Sequence, residues 1–564
     1  MPETRHHPGT CGGRTPGVDK PGRRRLWAAA ALVSWCLLTW PADAAPPDQI
    51  SLDLSARLAA LAGAAAEGGD RTAALLIAGA GLSDLAARAA TDPTLGPPLG
   101  PVLTPVLAPI LAPTPLGTPV STAVSTPVGT ADAGAVTGGR LNMRLALTML
   151  SQAYGDENNG TVLAAQTDPG RAALMLTAGR ARLADVLALL VEAGLPGGAI
   201  AGGAELRTPL VIWPGAELLL APGEVLQLSR ADGAFVMNFG TLTVEGATIR
   251  ATPTPHPVAR SFRPFVTTAD AGGLVLRGAR LQGLGFGETL KFAGVSVLRS
   301  LRRPATQPAR IEDSLFEDVL SVGISGDAGV LVRGNRFRDM RGAALTVART
   351  PDARLLGNLF SGRMPTNAIR LEEASRDGII AGNVILGGAR AGIVVRAGSP
   401  RAQVGGNVIW QRNGGGILLS GSDCGRIEGN LVIDNAQKGI EVRNAARATI
   451  AANSVLSNDS AAIWVGDQPA ATLTRIEANV LAFNGAALAA ASGARLMLRG
   501  NDLSRQFLQF LDGDLVTQVA ALNRDMRGAA LVVLTAAGVQ PATDADLAPD
   551  PACAPPSAKP PAKP

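Results

Sequence analysis

One short unit returns through the second half of the chain at an almost fixed interval: an apolar residue, any residue, Gly and Asn. It reads Val332-Arg333-Gly334-Asn335, Leu355-Leu356-Gly357-Asn358, Ile380-Ala381-Gly382-Asn383, Val404-Gly405-Gly406-Asn407 and Ile427-Glu428-Gly429-Asn430. Degenerate copies end at Asn453, Asn479 and Asn501, and the spacings from Asn335 onward are 23, 25, 24, 23, 23, 26 and 22 residues. Half a period later a second unit appears: Gly392-Ile393-Val394-Val395, Gly416-Ile417-Leu418-Leu419, Gly439-Ile440-Glu441-Val442 and Ala462-Ile463-Trp464-Val465. A repeat of this length marks a solenoid. Leucine-rich repeats share the period but need a Leu-rich consensus around their Asn. Here the strand positions are β-branched and short, they alternate with period two, and no helix-length segment fits between them. The expected fold class is therefore all-β, a right-handed parallel β-helix over 205–535 whose coils stack at about 4.8 Å. Each Asn is expected at a corner, bonding its amide along the stack, with Gly supplying the left-handed backbone.

Composition agrees with thin, stacked packing. Aromatic residues are 3% of the chain with a single Tyr, against 67 Gly. The formal charge of +5 is small for 564 residues, and basic residues do not cluster with aromatics, which argues against a nucleic-acid partner. Four Cys occur without a CxxC or Cys/His cluster, so no metal site or cofactor is expected. For Cys424 and Cys553 two readings stay open, a disulfide or two free thiols.

The remaining segments divide by pattern. Arg23-Arg24-Arg25, the apolar run Leu26 to Trp40 and the small-residue site Pro41-Ala42-Asp43-Ala44 read as a signal peptide with an N-terminal extension over 1–44. The run is short for a span of about 20 residues, and an uncleaved anchor is the other reading. The expected location is the periplasm or the exterior, with no membrane span in the mature chain. Residues 45–92 read as a helical segment, 93–138 as a Pro-rich linker, and 139–198 as a second helical segment capping the solenoid, with helices over 139–154 and 170–194. Residues 540–564 read as a disordered Pro/Ala-rich tail. Insertions at 251–262 and 283–309 are expected as loops on one face of the solenoid.

The early coils carry Gly233-Ala234-Phe235 with Asn238 and Gly240, then Phe262-Arg263-Pro264-Phe265 and Leu284-Gly285-Phe286. With the coil order that follows, through Ile440 to Arg443, they resemble the periplasmic mannuronan C5-epimerases over about 205–535. The resemblance implies a pectin-lyase-like solenoid, a β-1,4-mannuronan substrate, inversion at C5, and a place beside exopolysaccharide export machinery. The family's Asp-Pro-His-Asp motif falls on Thr346-Val347-Ala348-Arg349, and its Arg on the next coil falls on Glu373, so the family's catalytic set is not matched. His256 lies in a Pro-rich insertion, Pro253-Thr254-Pro255-His256-Pro257.

Period-two alternation from the Gly/Ala starts places Ile369, Leu371, Ile393, Val395, Ile417, Leu419, Ile440 and Val442 inward. Arg370, Glu372, Arg396, Glu441 and Arg443 then face outward on successive coils, with Trp464 beside them as a surface for a sugar. Arg370, Arg396 and Arg443 suit uronate carboxylates; a solvated face with weak Arg/Glu pairs is the plainer reading. Arg349, Glu372 and Glu373 are the candidate catalytic groups. The functions these features allow are a polyuronate-binding or polyuronate-converting export protein, a polysaccharide lyase on the same scaffold, or a non-catalytic scaffold. No Asp/Glu cluster suited to calcium is evident, which ranks the lyase lower.

Overall fold

The computed structural model describes residues 135–554, apart from 168, 169, 171, 300–306, 470, 471, 492, 507, 508 and 549. The expected signal peptide over 1–44, the 45–92 segment, most of the expected linker and residues 555–564 lie outside the described residues. From Gly203 onward each coil contributes three short strands, as in Arg354–Leu356, Leu359–Ser361 and Ile369–Glu372. Strands stack in parallel and in register on the matching strand of the next coil. This is a right-handed parallel β-helix, the hand that parallel crossovers adopt. Sheet 1 holds strands such as Ser321–Ser325, Leu345–Ala348, Ile369–Glu372 and Ile393–Arg396; sheet 2 holds Arg354–Leu356 and its stack; sheet 3 holds Leu359–Ser361 and its stack, 13 strands in all. The third strand, directly after each Asn, had no separate signature in the repeat.

Inward side chains form one apolar core along the solenoid axis. Ile369, Leu371, Ile393, Val395, Ile417, Leu419, Ile440 and Val442 are all buried in it, as alternation required. On sheet 3 the rings of Phe316, Phe337 and Phe360 stack at 5.0 and 4.6 Å between centroids, adding ring contact to area burial.

The sheet 2 to sheet 3 corner is closed by asparagine. Each residue from Asn335 through Asn358, Asn383, Asn407, Asn430, Asn453 and Asn479 donates its amide to the oxygen of the Asn one coil on, at 2.9 to 3.0 Å, ending on Asn501. The residue before each Asn is left-handed, and there Gly334, Gly357, Gly382, Gly406 and Gly429 avoid a steric cost that Ala452 and Ala478 accept. A second ladder, Asn435–Asn458–Asn484–Gln506, closes the sheet 3 to sheet 1 corner, and Thr350, Ser375, Ser399 and Ser422 close the third.

The N-terminal segment departs from expectation. The helix expected from 170 is instead a strand, Ala172–Ala181, followed by a helix over Leu183–Glu192. The strand pairs with Leu210–Ile212 in sheet 1 and opens sheet 2 on Ala216–Leu220. In sheet 1 a further strand, Thr137–Asn142, lies antiparallel outside it, so 139–142 is also strand where helix was expected, and sheet ends seeking partners override local helix preference. The following helix buries Leu183, Val186 and Leu190 in the same core as the first coil. Helix α1 (Met143–Tyr154) and helix α2 (Asn159–Ala164) do not cap the end. They lie on the outer face of sheet 1 over Val211, Phe235, Met237 and Phe239, in a second apolar cluster.

At the other end an antiparallel hairpin, Val532–Thr535 with Gly538–Pro541, covers the last coil. The tail is ordered through residue 554, contrary to the disorder expected from 540. Arg475 donates to the Asp546 and Ala548 carbonyls, Arg447 faces Asp550 at 3.5 Å, and Cys553 forms a disulfide with Cys424. Closing a loop of 129 residues removes much chain entropy from the unfolded state.

Asn407→Ala tests the ladder. It removes the acceptor of both the Asn383 amide and the Asn383 backbone N–H, and the donor to Ile380 O. A loss of about 2–5 kcal/mol is expected in urea unfolding; a change under about 0.5 kcal/mol would contradict the ladder's role.

Candidate functional site

The outer face of sheet 1 changes character along its length. Over the first coils it is covered. The two insertions fold onto it with α1 and α2, burying Ala259, Phe262, Phe265, Phe286 and Phe292. Lys291, almost fully buried, holds this cover down: its Nζ donates to Gly155 O at 2.6 Å and to Asn159 Oδ1 at 2.8 Å. From about Ser321 onward the apolar cover no longer contributes, and the outward rows carry the residues singled out by alternation.

Three groups result. The first lies at the edge of the cover. Arg349 and Glu373 occupy the left-handed corner where sheet 1 strands end, with φ of 51° and 55°. Gly326 and Gly421 hold the same place on other coils, so two long side chains sit where glycine would cost less. Arg349 bridges Glu373 at 2.5 Å and donates to Ser325 Oγ at 2.8 Å. The phenol of Tyr154, at the end of α1, is buried without a hydrogen-bond partner among the described residues. Burial pushes its pKa well up; Arg349 and Arg299 pull it down and Asp270 raises it further, with burial prevailing. Tyr154 is therefore a neutral phenol, a proton donor and not a base. Arg299, in a buried pair with Asp327 at 2.9 Å, keeps one guanidinium nitrogen, Nη2, without a partner among the described residues. Nothing in the sequence pattern pointed to Tyr154 or Arg299, because helix and corner meet only through the tertiary fold.

The second group is Arg370, Glu372 and Arg396. Arg396 Nε binds Glu372 Oε2 at 2.6 Å, and Arg370 donates to Asn367 Oδ1 at 3.2 Å. Burial lowers the Arg370 pKa; Glu372 opposes this, and Arg396 and Arg390 add to it. Glu372 is mostly buried and already bonded, so it is less accessible as a base than Glu373.

The third group is Glu441, Arg443 and Trp464, to which the fold adds Lys438. Glu441 accepts from Lys438 at 3.1 Å and from Arg443 at 3.0 Å. The Trp464 ring packs on Ala461, Ala486 and Ala489, and the Lys438 and Arg443 cations stand 4.3 and 5.1 Å from its centroid. These cations take up ring surface that alternation alone left open for a sugar. Register places all three groups on one face, through Thr346–Arg370–Val394–Leu418–Glu441–Trp464 and Ala348–Glu372 beside it. The charged ribbon is not continuous: Val394, Leu418 and Ser420 separate the second group from the third.

His256 is not at this site. Its Nδ1 accepts the backbone N–H groups of Val258 and Ala259, at 3.1 and 2.8 Å, and it is buried in its loop.

Residues 317–505 match a family described as periplasmic copper-binding protein (NosD). The described residues do not fit a copper site. Among them no three His, Cys, Asp or Glu side chains converge, Nδ1 of the single His is occupied by backbone N–H groups, and both Cys are in the disulfide. No curated protein sequence matches the chain. Among solved structures, the periplasmic alginate epimerase AlgG aligns with 68% of this chain and 99% of its own, at TM-score 0.56 and 19% identity. A variant of it aligns at TM-score 0.55 and 20% identity, over 64% of this chain and 93% of its own. These likenesses establish a shared fold.

Burial lowers the His256 pKa and Asp232 only partly opposes it. A depressed histidine leaves the folded state full stability above the ordinary pKa, and that stability falls as acid protonates the unfolded chain first. Below about pH 6 the Val258 and Ala259 amides should therefore exchange faster. Hydrogen exchange between pH 5 and pH 7.5, corrected for intrinsic rates, checks this; equal protection at both ends of the range would contradict it.

Proposed function

We propose that the chain is an exported polysaccharide-handling protein that binds a polyuronate of the alginate class along the outer face of sheet 1 as the polymer leaves the cell. The observation that carries this reading is that Arg349, Arg370, Arg396 and Arg443, from four coils, lie on the outward side of sheet 1 or at its rim, with Trp464 one coil beyond. Guanidinium groups pair with carboxylates bidentately, and a stacked sheet presents them at intervals comparable with one sugar residue. The fold shared with the periplasmic alginate epimerase AlgG supports the substrate class. The disulfide between Cys424 and Cys553 supports an oxidising compartment such as the periplasm, as does the leader-like N-terminus.

A second reading, conversion of the polymer, rests on the first group. Inversion at C5 needs a base on one face of the sugar, an acid on the other, and a cation for the adjoining carboxylate. Glu373 would take the C5 proton, Arg349 would neutralise the uronate, and the Tyr154 phenol would return a proton from the opposite face. Solvent exchange would then restore both side chains. A polysaccharide lyase would start from the same proton abstraction and expel the 4-linked sugar instead.

Polymannuronate incubated with the full chain in deuterated water separates these readings. Binding without change supports a carrier, deuterium at C5 with new guluronate supports inversion, and unsaturated ends absorbing in the ultraviolet support a lyase. No binding and no change would overturn the proposal. Arg370→Glu should weaken binding about tenfold or more, measured by calorimetry. If inversion is found, Tyr154→Phe should lower it about a hundredfold with affinity retained.

A further inference from the structure

The two rims of sheet 1 differ in charge balance. At the rim where strands end, the cations are compensated inside the protein: Arg349 by Glu373, Arg396 by Glu372, Arg443 by Glu441. At the rim where strands begin, guanidinium groups gather around one carboxylate. Asp318 receives Arg263 Nη1 at 2.6 Å and Arg341 Nε at 3.2 Å. Arg230 and Arg363 act on the same cluster by charge.

The donors of this cluster are held in place by backbone. Arg341 donates from Nη2 to Leu284 O and Gly285 O, each at 2.6 Å, and from Nε to Asp318 O at 3.0 Å. Arg230 donates to Phe262 O at 2.8 Å and to Arg260 O at 2.7 Å. Carbonyls satisfy N–H groups but leave the charges unneutralised. Arg363 is exposed, and its backbone N–H rests on Asp339 Oδ1 at 2.9 Å. Burial and the repulsion of Arg263, Arg230 and Arg363 together lower Arg341 to about 10, still a cation at neutral pH. Three held guanidinium groups, Arg230, Arg263 and Arg341, with the exposed Arg363 beside them outnumber the half-exposed Asp318 carboxylate, which suits the cluster to an anion.

The position selects the anion. Arg341 and Arg363 precede the strands Leu345–Ala348 and Ile369–Glu372, and Arg390 precedes Ile393–Arg396 on the next coil. Arg390 also acts electrostatically on Arg370. Three consecutive coils thus each bring an arginine to the segment before the sheet 1 strand, and coils stack at about 4.8 Å, close to the length of one 1,4-linked pyranose.

We propose that Arg230, Arg263, Arg341 and Arg363 form an anion subsite that takes the carboxylate of one uronic acid residue at the rim where sheet 1 strands begin. This rests on the polyuronate reading above. It assigns the carboxylate to arginines that the repeat pattern did not select, and leaves Arg396 and Arg443 to their internal partners.

The test uses the full chain and two probes, a mannuronate hexasaccharide and inorganic sulfate, titrated by calorimetry. Arg363→Gln and Arg263→Gln should each weaken both probes about tenfold. Arg426→Gln, on sheet 2 and paired with Glu428, should change neither. Arg363 is exposed, so its variant should unfold like the parent and keeps the test valid if Arg263→Gln disturbs the insertion. Hexasaccharide affinity unchanged in Arg363→Gln overturns the subsite while leaving the polyuronate reading intact. Sulfate bound through Arg363 without hexasaccharide binding overturns the polyuronate reading and keeps an anion site. An absence of sulfate binding together with unaltered variants overturns the subsite outright.

Discussion

At each sheet 2 to sheet 3 corner from Asn335 to Asn501 the chain turns too sharply for the backbone to complete its own ladder, and asparagine completes it. Its side-chain oxygen accepts both the backbone N–H and the amide of the Asn one coil before, and its own amide reaches a carbonyl of that earlier coil and the oxygen of the next Asn. Each Asn is buried, so a missing partner would leave polar groups without water. The ladder fixes the rise and the phase of the coils from Asn335 onward. With the phase fixed, every outward position lies over its counterpart: Arg349 is in line with Glu373 on the next coil, and Glu441 with Trp464. The surface chemistry inherits its order from these internal amides.

That order would offer sheet 1 as a uniform face were it not for the cover on its first coils. Burying Phe235, Phe262, Phe265, Phe286 and Phe292 under α1 and α2 makes a second core outside the solenoid. Each such ring is worth a few kcal/mol on burial. At the edge of this cover Tyr154, the last residue of α1, keeps a buried phenol without a partner among the described residues. A partly dry boundary beside a charged strip is where a proton donor and an ion pair have the largest effect on a bound sugar. The same cover brings Arg230 and Arg263 to the rim, because their positions depend on the insertion packed beneath them.

What the sequence made legible follows from which interactions are local or repeated. Asn335 through Asn501 announce the coil height, and the alternation around Ile369, Ile393 and Ile440 announces which side chains face out. Both survive translation into structure because register is fixed where one face is buried. The strand at Ala172–Ala181 was not legible. Its residues also suit a helix, and only the open ends of two sheets decide the matter. The cover was not legible either, since the phenylalanines of the insertions show no period. The partners of Arg396 and Arg443 depend on rotamers that no spacing encodes. The tail beyond 540 read as disordered from its Pro and Ala content, yet the disulfide to Cys424 and the carbonyl contacts of Arg475 order it.

The contrast between the two rims bears on how a polyanion is held. Exposed pairs such as Arg349–Glu373 are each worth under about 1 kcal/mol, so a polymer carboxylate can exchange with Glu373 at small cost. Exchange nevertheless leaves a displaced glutamate close to an incoming anion, which limits the gain. At the opposite rim one carboxylate, Asp318, is shared by Arg263 and Arg341, while backbone carbonyls orient Arg230 without neutralising it. Association there relieves repulsion among guanidinium groups as well as adding an attraction. A chain anchored by its carboxylates at this rim would lie with its ring faces across sheet 1, toward Glu373 and Glu441. The internal pairs would then serve as acceptors and donors for hydroxyl groups, which suits paired charges better than binding a second anion.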